Sequence, residues 1–226
     1  MVALSLVLTA VISYLLGSCN SAIIVSKLLY HQDIREHGSK NAGLTNTLRC
    51  YGKRAALITL VGDLAKGVVA VLLSIFIVGK LTNGGIDTQL VGYIAGMFAI
   101  LGHIFPVYYG FKGGKGILVA SSILIVIDPI TFAIVIPFFL IVSLVTRYVS
   151  VGSISAAVAY PVITFCVNLL IGHKDMTHVL LYTACTAVTG VLLIYMHRTN
   201  IERLKNGTEN KLFAKKPEGK EESYNG

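Results

Sequence analysis

An all-α integral membrane protein with seven transmembrane helices, one of them short, follows from three observations: an apolar composition, the lengths of the apolar runs, and a lopsided distribution of basic residues. Of 226 residues, 54% are hydrophobic types and only 13% are charged, against about 25% charged in an average soluble domain. Mean hydropathy is +0.74. A soluble body of this size has too little interior to hide that much apolar surface, which excludes disordered, disulfide-framework and soluble globular classes. The four cysteines, Cys19, Cys50, Cys166 and Cys185, form no C-x-x-C pair, and three sit in apolar runs. They read as small hydrophobes rather than metal ligands. With no Trp in the chain, interfacial aromatics must be Tyr and Phe.

The first apolar run, 3–29, has no basic residue before Lys27. It therefore reads as a retained span, not a cleaved leader. Runs 55–79, 89–109, 130–147, 151–171 and 177–196 each approach or exceed the about 20 residues a bilayer core requires. Run 117–127 is shorter: at 1.5 Å per residue it reaches about 17 Å. Pro129 disfavours helix at Asp128, so a turn is expected there.

Charge decides whether the short run counts. With seven spans, one side receives the basic residues of 35–54, Lys112, Lys115, Arg147 and those of the tail. The other side receives only Lys80 and Lys174, while Lys27 and Lys66 lie within spans. With six spans the tail, Arg147 and Lys174 change sides and the asymmetry collapses. The positive-inside rule favours seven, with the N-terminus outside and the C-terminus cytoplasmic. The net charge of +8 then reads as orientation, and no nucleic-acid partner is implied. The expected organisation is one membrane domain over 1–205 and a polar, flexible cytoplasmic tail over 206–226, fraying beyond Leu212. Asn206-Gly207-Thr208 is a chance glycosylation sequon in that tail.

The unusual chemistry falls on the basic side. Stretch 33–49 is dense in Gly, Ser, Asn and Thr and contains Ser39, Asn41, Thr45, Asn46 and Arg49. Hydroxyls, backbone N–H groups and an Arg fork suit a phosphate, although an ordinary polar loop has the same composition. Phe111-Lys112-Gly113-Gly114-Lys115-Gly116 can form a backbone nest with two ammonium groups, or simply a basic turn. It is not a Walker A loop, because Gly116 follows Lys115 where Ser or Thr belongs. Ser150 follows Arg147, and His197 and Asn200 share a helical face at the exit of the last span. Asp63 and Lys66, one turn apart, read as a self-neutralising structural pair that can border a site. His103, near the basic end of its span, is either structural or a general base. The other histidines have no clear partners, so no metal site is supported.

Taken together, Gly38-Ser39-x-Asn41-x-Gly43-x-Thr45-Asn46-x-x-Arg49-x-x-Gly52, Asp63-x-x-Lys66-Gly67, Gly102-His103-x-x-Pro106, the Lys112–Gly116 stretch and His197-Arg198-x-Asn200-Ile201-x-Arg203-Leu204-x-x-Gly207-x-Glu209 resemble the bacterial acyl-phosphate:glycerol-3-phosphate acyltransferases, the PlsY family. The resemblance runs from Gly17 to Glu209. It implies a seven-helix membrane bundle with an outside N-terminus. It also implies transfer of an acyl chain from acyl phosphate to the 1-hydroxyl of glycerol 3-phosphate, without cofactor or metal, at the cytoplasmic side of the cell membrane. Beyond these substrates and the lipid bilayer, no protein partner is readable.

On that resemblance Arg49, Lys112 and His103 are expected to be catalytic, with His103 as a candidate base. Ser39, Asn41, Thr45, Asn46, Gly113, Gly114, Lys115, Gly116, Ser150, His197 and Asn200 are expected to bind substrate, the glycines through backbone donors. Departures from the family pattern are Cys19-Asn20 after Gly17-Ser18, Lys40 for Gly, Leu44 for Ala, Ile117-Leu118-Val119 for V-A-T, and Met196 for Arg. They bear on kinetics and chain preference, not on the reaction class. No Ser-His-Asp arrangement or H-x-x-x-x-D signature is readable, which favours direct attack over a covalent acyl-enzyme. The substrate's own phosphate or His103 would take the proton. A transporter for a phosphorylated solute is the competing reading; it would place accessible polar residues in the outer halves of several spans.

Overall fold

The computed structural model describes residues 1–212. Among them are nine α-helices and no strand. The first apolar run is two helices, α1 (Val2–Ser18) and α2 (Ser21–Tyr30), where one span over 3–29 was expected. Asn20 makes the break. Its carboxamide accepts from the Ile23 N–H at 3.1 Å and donates to the Ala42 carbonyl at 3.3 Å. An N-cap residue has non-helical backbone, so the first helix stops short of it.

The next helix, α3 (Leu44–Thr82), is longer than its apolar run because the polar stretch before residue 55 also winds, with a kink at Gly52. There follow α4 (Thr88–Ile104), α5 (Ile117–Ile127), α6 (Pro129–Thr146) and α7 (Val149–Cys166), which continues through a π turn over Val167–Ile171. The chain ends in α8 (Met176–Met196) and the short α9 (Arg198–Lys205). Asp87, Asp128 and Asp175 cap α4, α6 and α8 by accepting from the first-turn N–H groups of Leu90, Thr131 and Thr177. Six stretches are long and apolar enough to cross a membrane, and α5 is the shorter apolar helix.

The molecule is built for lipid. On α1, Ser5, Thr9, Ser13 and Gly17 are buried at four-residue spacing, while Val7, Val11 and Leu15 face outward. Small residues inside and large aliphatics outside let helices approach where burial from water no longer drives association. α1 packs against α3 and α4, and α6, α7 and α8 form a second group, with α5 between the two. At the α1–α4 crossing, a Cβ on Gly17 would fall 2.1 Å from the Ala99 carbonyl oxygen, and one on Gly102 2.2 Å from that of Tyr14. Segments 31–54, 105–116, 147–153 and 197–212 meet at one end of the bundle.

Candidate active site

At that end, three polar segments form the mouth of a cavity of about 450 Å³. The first is the turn before α3 and its opening turns. Asn46, 1% exposed, accepts from the Ser39 N–H at 2.9 Å and donates to the carbonyls of His37 at 3.0 Å and Ile34 at 3.3 Å. Its amide is thus committed to shaping the loop that carries Ser39 and Asn41, although the side chain lies along the cavity wall. Arg35 clamps this segment to the next. It grips Asp33 with Nε and Nη2 at 2.9 and 2.7 Å, and its Nη1 donates to the carbonyls of Tyr109 and Lys112 at 2.6 and 3.0 Å. The hydrogen bond from Arg35 holds the Asp33 carboxyl down at about 2.

The second segment corrects the expected nest. The Gly113 N–H donates to the Ile104 carbonyl at 3.0 Å and the Gly114 N–H to the His103 carbonyl at 3.1 Å. Neither is free to meet a phosphate. These glycines serve close approach: a Cβ on Gly113 would lie 2.0 Å from the His103 oxygen, and one on Gly114 2.2 Å from His103 Nε2. Lys112, expected as the point charge, is exposed and lies outside the cavity lining; Lys115 lines it instead. The chain reverses at 107–111, where the Phe111 N–H bonds back to the Pro106 carbonyl, and then runs past His103 through Gly113-Gly114. The Lys115 ammonium donates to Asn200 Oδ1. Burial, then the neighbouring Arg203 and Arg49 charges, lower its pKa to about 8 against the opposing pull of Glu209.

The third segment joins the start of α7 to 197–212. Glu209 is its hub: Oε1 accepts from Ser150 Oγ at 3.0 Å and Asn200 Nδ2 at 2.8 Å, and Oε2 from Arg203 Nε at 2.7 Å. Burial would raise its pKa, but hydrogen bonds from Asn200, Arg203 and Ser150 outweigh that and hold it below its ordinary value. The Leu212 N–H closes the segment onto the Arg147 carbonyl at 2.7 Å. The tail expected from 206 onward therefore begins as site wall, and residues 213–226 lie outside the described ones. His197 is 3% exposed, and its Nδ1 donates to the Leu193 carbonyl at 2.8 Å. A carbonyl only accepts, so in the neutral ring Nε2 is the acceptor. Burial lowers this pKa to about 4, with Lys115 adding to it and the Leu193 bond opposing. His197 is therefore neutral near pH 7.

Beyond the polar mouth the cavity continues as an apolar arm. One wall is the α5 face of Ile117, Leu118, Ser121 and Ile125; the other is the α6 face of Phe132, Ile136 and Phe139. The arm descends about 12 Å along α5, eight residues at 1.5 Å. Of the residues singled out in the sequence, Ser39, Asn41, Thr45, Asn46 and Arg49 line the cavity from the first segment. His103, Lys115, Gly116, Ser150, His197 and Asn200 line it from the others. Lys112, Gly113 and Gly114 do not. The sequence reading left out Arg203 and Glu209 as site residues, although both stand in the last motif, and it left out the arm entirely. The helical repeat of apolar residues that makes the arm looks the same as the repeat that faces lipid.

A family model described as glycerol-3-phosphate acyltransferase matches residues 7–207. A glycerol-3-phosphate acyltransferase of Clostridioides difficile (strain 630) is 39% identical over 94% of this chain and 98% of its own. One of Chlorobaculum tepidum is 39% identical over 91% and 96%. A crystal structure of PlsY (YgiH), an integral membrane glycerol 3-phosphate acyltransferase in its glycerol 3-phosphate form, superposes with a TM-score of 0.76 at 31% identity, covering 92% of this chain and 96% of that one. Its lysophosphatidic acid form gives 0.74 at 30% identity over 92% and 95%. With helical bundle and sequence matching along nearly the whole chain, this integral membrane protein belongs to the glycerol-3-phosphate acyltransferase family.

Proposed function

We propose that this chain transfers a fatty acyl group from acyl phosphate to the 1-hydroxyl of glycerol 3-phosphate. The products are 1-acylglycerol 3-phosphate and inorganic phosphate, and the step is the first acylation of phospholipid synthesis. The chain spans the cell membrane seven times with its N-terminus outside and its site facing the cytoplasm, as the basic-residue asymmetry favours. One observation carries the reading: a single cavity joins a cationic polar mouth to an apolar arm between α5 and α6. Arg49, Lys115 and Arg203 supply charge for two phosphates, Arg through a planar fork and Lys as a point charge. Ser39, Ser150 and Asn200 add neutral hydrogen bonds, and the arm takes the acyl tail.

Acyl phosphate is already activated, so the site mainly orients the reactants and stabilises charge. The hydroxyl oxygen attacks the acyl carbon, a C–O bond to glycerol forms, and the C–O bond to phosphate breaks. The hydroxyl proton passes to the departing phosphate. The unprotonated Nε2 of His197 holds that hydroxyl in place; with a pKa of about 4 it is too weakly basic to keep the proton.

The test is purified protein in a lipid phase with glycerol 3-phosphate and either palmitoyl phosphate or palmitoyl-CoA. Phosphate release and lysophosphatidic acid are followed by mass. Product from the acyl phosphate alone is expected. Equal product from the thioester would change the donor, and none from either in a folded sample would make transport of a phosphorylated solute the leading reading.

A further inference from the structure

His103 entered as a candidate base, but its surroundings reverse that role. Its Nδ1 lies 2.8 Å from Lys66 Nζ. The same ammonium lies 2.8 Å from Asp63 Oδ1 and 3.1 Å from the Cys19 carbonyl oxygen. An ammonium has three donors and no acceptor, and Lys66 meets three acceptors with them. Asp63 and Lys66 are 1% and 7% exposed. A neutral amine at Lys66 would shift the counter-charge of the Asp63 carboxylate from an ammonium at 2.8 Å to an imidazolium whose Nδ1 is 3.9 Å away, a weaker pairing for a buried carboxylate. An imidazolium at His103 would set an Nδ1–H against the ammonium. The remaining state is a neutral ring whose Nδ1 lone pair accepts from Lys66 and whose proton sits on Nε2.

That nitrogen occupies the edge of the ring beside Gly114, where only the missing Cβ makes room for it. His103 lines the same cavity as Arg49 and Lys115, and among the described residues no hydrogen bond to Nε2 is formed. We propose that His103 is a catalytic hydrogen-bond donor: its Nε2–H meets the oxygen of the acyl-phosphate head that gains negative charge during transfer. Lys66 and Asp63 are positioning residues that set its tautomer. The proposal rests on the acyl-transfer reading above. His197 and His103 then play opposite roles in one cavity, the first an acceptor for the hydroxyl, the second a donor for the developing charge. A neutral donor held by a buried ion pair needs no reorganisation as charge develops.

The experiment compares His103→Gln with His103→Leu in the palmitoyl phosphate assay. A carboxamide can place an N–H where Nε2–H stands, but it carries no basic nitrogen. His103→Gln is expected to keep kcat within about tenfold of wild type, while His103→Leu loses about 10²–10³-fold, as for one oxyanion donor. KM for glycerol 3-phosphate should change little in either. Equal loss in both folded variants would restore the base and overturn the donor. Should the variants fail to fold, ¹⁵N solid-state spectra of the wild-type protein in lipid decide. The imidazole whose Nδ1 couples to a lysine Nζ must carry its proton on Nε2, and a proton on Nδ1 refutes the proposal. Absence of acyl transfer by wild type would instead remove the proposed reaction, and the spectra would still read the tautomer.

Discussion

Lys112 and Lys115 are alike in sequence, three residues apart among glycines, yet only Lys115 lines the cavity. Local composition assigns both to an anion cradle; the Gly113-Gly114 stretch between them is bonded back along 103–104. Those bonds explain why Gly113 and Gly114 offer the site no donor: their N–H groups are taken by Ile104 and His103. Lys115 also carries a pH prediction. With its pKa lowered to about 8, the ammonium is charged below that pH and loses its charge as pH rises through it. Attraction for the substrate phosphate is lost in the same direction. For the free enzyme, kcat/KM for glycerol 3-phosphate is expected to fall through a limb near pH 8. Lys115→Arg, charged throughout, should carry the limb to higher pH. A limb that stays in place in that variant would belong to another group.

Among the elements, α5 shows most plainly how sequence and structure share the work. Its shortness and the Asp128-Pro129 turn are legible, because length and proline chemistry act locally. What lets a turn sit inside an apolar bundle is not. Asp128, 5% exposed, accepts from Tyr93 Oη at 3.0 Å, Thr131 Oγ1 at 2.7 Å and Asn168 Nδ2 at 2.9 Å, and Asn168 in turn accepts from Gln89. These partners come from α4, α6 and the π turn after α7. Replacing Asp128 with Ala would strand those donors at about 1–3 kcal/mol each. The melting temperature in detergent should fall, with little change in KM for glycerol 3-phosphate, because the cavity mouth lies at the opposite end. An unshifted melting temperature would show that the turn is held by other contacts. The break at Asn20 and the winding of 44–54 into α3 went unread for a related reason. Hydropathy sees an apolar run or a polar one, not the carbonyl of Ala42 that Asn20 reaches.

For the whole molecule, the boundary expected at 205 cuts through the site, since Glu209 ties Ser150, Asn200 and Arg203 together. A chain ending after Lys205 is expected to insert and remain helical but lose about 10²-fold or more in turnover, as when charge-stabilising groups are misplaced. A chain ending after Leu212 should retain full turnover. Comparable activity from both would remove Glu209 from the machinery. The membrane environment and the order of the apolar runs were legible from residues alone. Hydropathy and basic-residue asymmetry are sums over neighbours in the chain, and the bilayer acts on those sums. Which lysine lines the cavity, which partner each buried histidine nitrogen meets and which carboxylate gathers the mouth depended on the folded arrangement. Those properties belong to pairs such as Lys115 and Asn200, 85 positions apart, whose meeting is set by how the helices pack and not by any local run of sequence.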